Sequence, residues 1–139
     1  MCEGESTVSG KILIVEDSID AREMLAMLFN MEGYKVATAE DGREGLRRAS
    51  ADNPDLIVTD IQMPYVDGNE MIRRLRAQPD SKRVPIIVMT AYGEETGNRA
   101  VQSGADRAFT KPVDYDLLLE AIKDLIDQVG PRESLEPLL

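Results

Sequence analysis

The sequence predicts a doubly wound α/β fold in which five parallel strands alternate with five helices. Short apolar runs rich in β-branched residues recur along the chain, and such runs are typical of strands buried on both faces. Between them lie segments with apolar residues three and four positions apart, which is typical of helices with one buried stripe. Because strands and helices alternate throughout, we expect right-handed crossovers and helices on both faces of the sheet.

The predicted strands come from five runs that are flanked by turn or cap residues. They cover residues 11–15, 34–39, 56–58, 85–90 and 108–110. The third run follows the turn signal Asn53-Pro54-Asp55, and its last residues lead to the carboxylate of Asp60. The carboxyl ends of strands are where open α/β sheets place their ligands, so a functional site is expected at these ends.

The predicted helices differ in strength. In the first, Ser18 or Asp17 caps the start, Gly33 ends the helix, and the expected buried stripe is Ala21, Met24, Leu25 and Leu28. The second follows Asp41-Gly42 with Leu46 and Ala49 facing inward, and the third covers residues 69–77 with Ile72 and Leu75 facing inward. The fourth, residues 94–103, is weak because it contains Gly97 and few apolar residues. The last is the strongest, with Leu118, Ala121, Ile122, Leu125 and Val129 on one face and Gly130-Pro131 at its end.

Composition narrows the class of protein. The 139 residues suit one domain, which we predict over residues 11–129, between a mobile tail at 1–10 and a short tail at 130–139. A net charge of −10 argues against nucleic acid or an anionic membrane as a partner. The single cysteine, Cys2, forms no internal disulfide, and no apolar run is long enough to span a bilayer. A cytoplasmic protein is therefore expected. The absence of histidine excludes imidazole catalysis and His metal sites.

Five polar side chains follow four of the strands. Glu16 and Asp17 follow the first strand, Asp60 the third, Thr90 the fourth and Lys111 the fifth. Because the carboxyl ends of parallel strands share one edge of the sheet, we expect these side chains to converge. Each residue alone is more often a cap, a turn residue or a buried hydroxyl. Their joint placement is what predicts a site.

Three carboxylates at one edge of the sheet would repel one another, so a bound cation is expected there. Like charges about 4 Å apart cost roughly 4 kcal/mol per pair at an effective dielectric constant near 20. A hard divalent ion, Mg²⁺ or Mn²⁺, would neutralise Glu16, Asp17 and Asp60, and the backbone carbonyl of Gln62 could supply a further oxygen. Such a site attracts a phosphoryl group. Thr90 can donate a hydrogen bond to it, Lys111 can offset its charge, and Asp60 is the acid placed to attack.

The chain resembles the receiver domains of bacterial two-component response regulators, of the single-domain, chemotaxis-regulator type. The resemblance covers residues 11–129. It rests on Ile12 to Asp17, on Pro54 to Pro64 with Asp67-Gly68, on Pro85 to Ala91, and on Gly104-Ala105-Asp106 with Lys111-Pro112. It implies a flavodoxin-like (βα)5 fold with strand order 2-1-3-4-5.

The resemblance also implies roles for these residues. Asp60 would accept a phosphoryl group from a histidine kinase or histidine phosphotransferase. Glu16 and Asp17 would hold Mg²⁺ with Asp60 and the Gln62 carbonyl. Thr90, Ala91 and Lys111 would bind the phosphoryl group and switch with it. The Lys111–Pro112 bond would be cis. The downstream protein target and the oligomeric state are left open.

Two positions depart from the family pattern. Glu16 stands where aspartate is frequent, and Ala108 stands where the family usually has Tyr or Phe. Phe109 follows, but strand alternation points it toward the other face of the sheet. Tyr92, with Gln62, is the alternative gate over the site.

Three other functions compete with a phosphoacceptor. A receiver-like module could dock partners without phosphorylation. A Mg²⁺-dependent aspartyl-phosphate phosphotransferase of the haloacid-dehalogenase type needs a second Asp two residues after the first, where this chain has Gln62. A flavodoxin-like cofactor binder needs a first loop rich in Ser, Thr and Gly, where this chain has Glu16-Asp17. We expect no turnover of a separate substrate.

Overall fold

The computed structural model describes residues 10–63 and 66–129. Strands and helices alternate along these residues as the sequence predicted. The strands are β1 Lys11–Val15, β2 Lys35–Ala39, β3 Leu56–Asp60, β4 Ile86–Thr90 and β5 Arg107–Thr110. The helices are α1 Ile19–Met31, α2 Gly42–Asp52, α3 Gly68–Ala77, α4 Glu94–Ser103 and α5 Tyr115–Val129.

The five strands form one parallel sheet in the order β2-β1-β3-β4-β5. This confirms the doubly wound, flavodoxin-like topology. Because β1 and β3 are neighbours at the centre, the residues that follow them lie side by side. Strand β3 is two residues longer than its predicted apolar run, because it continues through Thr59 to Asp60. Asp60 is therefore held by the sheet itself rather than by a loop.

Alternate residues of the strands contribute to two hydrophobic cores, one on each face of the sheet. On one face, Leu13, Ile57 and Val88 pack with residues of α2, α3 and α4. On the other face, Ile14, Val58 and Met89 pack with residues of α1 and α5. Every residue of β3 and β4 is buried, as expected of central strands covered on both sides.

The predicted buried stripe of helix α1 is wrong in part. The helix buries Leu25 and Phe29, which are 2% and 0% exposed. Met24, which the pattern placed inward, is 43% exposed, and Ala21 and Leu28 are half-buried. The helix is rotated so that the large ring of Phe29 enters the core, and this ring offers more apolar surface to bury than the Met24 side chain.

The helix ends mostly follow the sequence signals. The side chains of Ser18, Asp41 and Asp67 accept backbone N–H bonds at the starts of α1, α2 and α3, and Asp114 does so for α5. Helix α4 begins after Gly93 without a side-chain cap, in line with its weak sequence. The predicted stop at Gly130-Pro131 and both predicted tails apart from Gly10 lie outside the described residues. Within residues 10–63 and 66–129, no helix is long and apolar enough to cross a bilayer.

Candidate functional site

The sheet brings four of the five predicted side chains together at the carboxyl edge of β1, β3 and β5: Glu16, Asp17, Asp60 and Lys111. Carboxylate oxygens of Glu16, Asp17 and Asp60 all lie within 4.8 Å of one another. Glu16 and Asp60 are buried, whereas Asp17 is exposed to solvent. Two buried acids and one open acid therefore form a pocket of negative charge with access from solution.

Lys111 faces this acidic cluster from the end of β5. Its Nζ donates a hydrogen bond to Asp60 Oδ2 at 3.1 Å and lies 3.7 Å from Glu16 Oε1. Partial burial pulls the pKa of Lys111 down, but the hydrogen bond and charge of Asp60, with the charges of Glu16 and Asp17, raise the pKa above its usual value on balance. Lys111 is thus held as a cation against the acids. The Lys111–Pro112 peptide bond is cis.

Asp60 divides its two oxygens between different partners. Oδ1 accepts the backbone N–H of Ile61 at 2.6 Å and that of Gln62 at 3.3 Å. Oδ2 is the oxygen that faces Lys111. The backbone thus fixes the carboxylate through one oxygen, and the other oxygen faces the ammonium group of Lys111.

Glu16 is the more deeply buried of the two buried acids. It is 2% exposed. Its Oε2 accepts the backbone N–H of Ser18, whereas its buried Oε1 has no hydrogen-bond partner among the described residues. Burial raises the pKa of the Glu16 carboxyl, and the charges of Asp60 and Asp17 raise it further, against the Ser18 N–H and Lys111, which lower it. A buried oxygen that accepts no hydrogen bond, beside two more carboxylates, fits a hard divalent cation.

This raised pKa predicts how Glu16 affects stability without metal. For an acid whose folded pKa lies above its ordinary value of 4.5, the native state binds more protons within the window between the two values. The stability of the wild type should therefore fall, relative to a Glu16→Gln variant, as the pH rises through that window. Urea unfolding of both proteins between pH 4 and 8 without divalent metal checks this. A constant difference across the range would contradict it.

Thr90 is the last residue of β4, which pairs with β3. Thr90 is fully buried, and its Oγ1 accepts the backbone N–H of Tyr92 at 3.0 Å, which leaves the hydroxyl hydrogen able to donate. The side chain of Tyr92 is 65% exposed, and Ala91 and Gln62 are also exposed. The gating roles of Tyr92 and Gln62 remain predictions.

Ala108 of β5 stands where the receiver domains that the sequence resembles usually have Tyr or Phe. Ala108 faces helix α4, because a Cβ placed on Gly97 would lie only 3.0 Å from the Ala108 Cβ. Phe109 is half-buried in the core on the opposite face, as alternation along the strand predicted. No aromatic side chain of β5 therefore lies on the α4 side of the sheet.

Sequence reasoning missed one residue that contacts the site. Arg22 of helix α1 donates from Nη1 to the backbone carbonyl of Glu16 at 2.8 Å. In the sequence, Arg22 is only a polar residue near a helix start, and an arginine there is usually solvated. Only the folded geometry shows where its guanidinium lies.

The family model "Response regulator receiver domain" matches residues 12–123. The chain belongs to the response regulator receiver domain family. This confirms the resemblance drawn from its motifs.

Individual receiver proteins show the same relationship. The chain is 36% identical over 122 residues to the transcriptional regulatory protein GlrR of Escherichia coli K12, a match that covers 86% of the chain and 27% of GlrR. It is 37% identical over 125 residues to the response regulator MprA of Mycolicibacterium vanbaalenii, covering 89% of the chain and 53% of MprA. The chain thus spans between about a quarter and somewhat more than half of these curated relatives.

Solved receiver structures have the same fold. The receiver domain of a signal transduction histidine kinase from Syntrophus aciditrophicus superposes with a TM-score of 0.81 at 37% identity, covering 87% of this chain and 92% of that one. The receiver domain of sensor histidine kinase PA1611 from Pseudomonas aeruginosa has a TM-score of 0.80 at 29% identity, covering 86% and 99%. That structure has a magnesium ion coordinated in its active site cleft.

Proposed function

We propose that this receiver domain accepts a phosphoryl group on Asp60 from a phosphohistidine of a partner histidine kinase or phosphotransferase. A carboxylate oxygen of Asp60 attacks phosphorus, the phosphorus–nitrogen bond of the phosphohistidine breaks, and the imidazole leaves with the electron pair. The observation that carries the proposal is the convergence at the carboxyl edge of the sheet. Asp60 Oδ2 lies 3.1 Å from Lys111 Nζ, and the Asp60 carboxylate also lies within reach of the Glu16 and Asp17 oxygens.

Each surrounding residue has a proposed part in the transfer. Glu16, Asp17, Asp60 and the backbone carbonyl of Gln62 would hold Mg²⁺ or Mn²⁺, which supplies charge neutralisation to the phosphoryl oxygens. Lys111 pairs with one of those oxygens in place of its present bond to Asp60. Thr90 donates its hydroxyl hydrogen to another, beside the backbone of Ala91. A protein assists phosphoryl transfer mainly by binding the reacting groups in position and by neutralising the charge on the phosphoryl oxygens.

These 139 residues contain no histidine, so the phosphohistidine donor must lie outside them. Helix α1, which starts beside the acidic cluster, exposes several apolar side chains on which such a partner could pack: Ile19, Met24, Met27 and Met31. The net charge of −10 leads us to propose proteins, rather than nucleic acid or a membrane, as direct partners of this domain. We propose that signalling follows from partner binding that depends on phosphorylation, in the cytoplasm, without turnover of a separate substrate.

Intact-mass spectrometry with a small phosphodonor tests the proposal. We expect the protein incubated with acetyl phosphate and Mg²⁺ to gain the mass of one phosphoryl group. Removal of Mg²⁺ with a chelator should slow this gain strongly, because the acids then repel the incoming phosphate. A protein that gains no mass with donor and metal would instead be a docking module that works without phosphorylation.

A further inference from the structure

Arg22 forms hydrogen bonds to the loop that carries Glu16 and Asp17, on both sides of Asp17. Arg22 donates its backbone N–H to the carbonyl of Ser18 at 2.9 Å and its Nη1 to the carbonyl of Glu16 at 2.8 Å. The Glu16 N–H is in turn bonded to the carbonyl of Ala39. The residues before and after Asp17 are therefore both tied to Arg22.

Asp17 itself depends on this fastening. Its side chain is exposed and forms no hydrogen bond or ion pair in the part of the chain that the structure describes. Its carboxylate nevertheless lies within 4.8 Å of those of Glu16 and Asp60. The backbone of the loop, rather than a side-chain contact, keeps the Asp17 carboxylate in the cluster.

The guanidinium of Arg22 fixes the loop without neutralising it. Among the described residues, Arg22 forms no ion pair with Glu16, Asp17 or Asp60, whereas Lys111 pairs with two of them. Its hydrogen bond goes to a backbone carbonyl, so the three carboxylates remain available to a cation. We propose that Arg22 is a positioning residue for the metal site, which presets the separation of Glu16 and Asp17 for a divalent ion. This inference rests on the proposed function only in assigning Mg²⁺ to the acidic cluster.

The positive charge of Arg22 and its proposed positioning role predict opposite effects on Mg²⁺ affinity when Arg22 is replaced. Removal of a positive charge near three carboxylates should tighten cation binding by Coulomb's law. Loss of the bond that orients the ligands should weaken it, and partners that orient metal ligands typically contribute about 10-fold or more to affinity. For Arg22→Met, which keeps the aliphatic stem, we expect the Kd for Mg²⁺ to rise about 10-fold.

Mg²⁺ titration followed by NMR amide shifts of residues 16–18 and 61–62 measures this without phosphorylation. Arg99→Met, which removes an exposed arginine that pairs with Glu95 on α4, is the matched control and should bind as the wild type does. Arg22→Lys, which keeps a donor and the charge, should recover part of the lost affinity, and it replaces Arg22→Met if that variant does not fold. Affinity of Arg22→Met equal to or tighter than that of the wild type would overturn the proposal. A wild type that does not bind Mg²⁺ would instead refute the assignment of metal to the cluster.

Discussion

Asp60→Asn is expected to abolish the gain of a phosphoryl group under donor and Mg²⁺. Asparagine has almost the same shape, so its side-chain oxygen can still accept the backbone N–H bonds that Oδ1 of Asp60 receives from Ile61 and Gln62. The amide is a very poor nucleophile, however, and it brings no negative charge to hold the ammonium of Lys111. Intact mass after incubation with acetyl phosphate should show only the unmodified protein, while the wild type is converted.

Asp17→Asn is the control that separates the attacking acid from an acid that only holds metal. Both variants remove one negative charge from the same cluster of carboxylates. Since Asp17 has only a proposed role in metal binding, its variant should be slow at low Mg²⁺ and should recover as Mg²⁺ is raised. Asp60→Asn should not recover at any concentration. Equal phosphoryl gain by Asp60→Asn and the wild type would place the acceptor on another residue.

The strands and their convergence were predictable because local and global signals agree. Runs such as Ile86–Met89 are apolar over their whole length and β-branched at all but the last residue, which is typical of strands covered on both faces. Once strands alternate with helices, parallel pairing follows, and parallel pairing places every carboxyl end on one edge. The positions of Asp60 and Lys111 at such ends could therefore be read as neighbours, although 51 residues separate them.

The rotation of helix α1 about its axis and the contacts of its long side chains were not predictable in this way. The pattern of α1 offers several overlapping apolar rows, and only packing against the sheet selects the row that contains Leu25 and Phe29. The reach of Arg22 to the Glu16 carbonyl depends on how the first turn of α1 meets β1, which spacing alone does not define. The lack of a hydrogen bond at the buried Glu16 oxygen likewise becomes visible only in the folded structure.

Phe29→Ala should cause a large loss of stability. Phe29 of α1 is fully buried in the core that the sheet forms with α1 and α5. Its truncation removes the ring from the core and leaves a cavity, at a cost of about 3–5 kcal/mol in the free energy of unfolding. That is a large fraction of the roughly 5–15 kcal/mol that stabilises a typical domain. Urea or thermal unfolding followed by far-UV circular dichroism measures the difference.

Met24→Ala on the same helix is the matched comparison, because the apolar pattern of the sequence and the structure disagree about it. The pattern places Met24 in the buried stripe, and a buried Met→Ala replacement would cost about 2–5 kcal/mol. The structure leaves Met24 43% exposed, so the cost should be about 1 kcal/mol or less. A larger loss for Met24→Ala than for Phe29→Ala would mean that α1 is rotated about its axis relative to the structure. The contact between Arg22 and the Glu16 carbonyl would then change too, because Arg22 lies on α1 and Glu16 lies in the loop that leads into this helix.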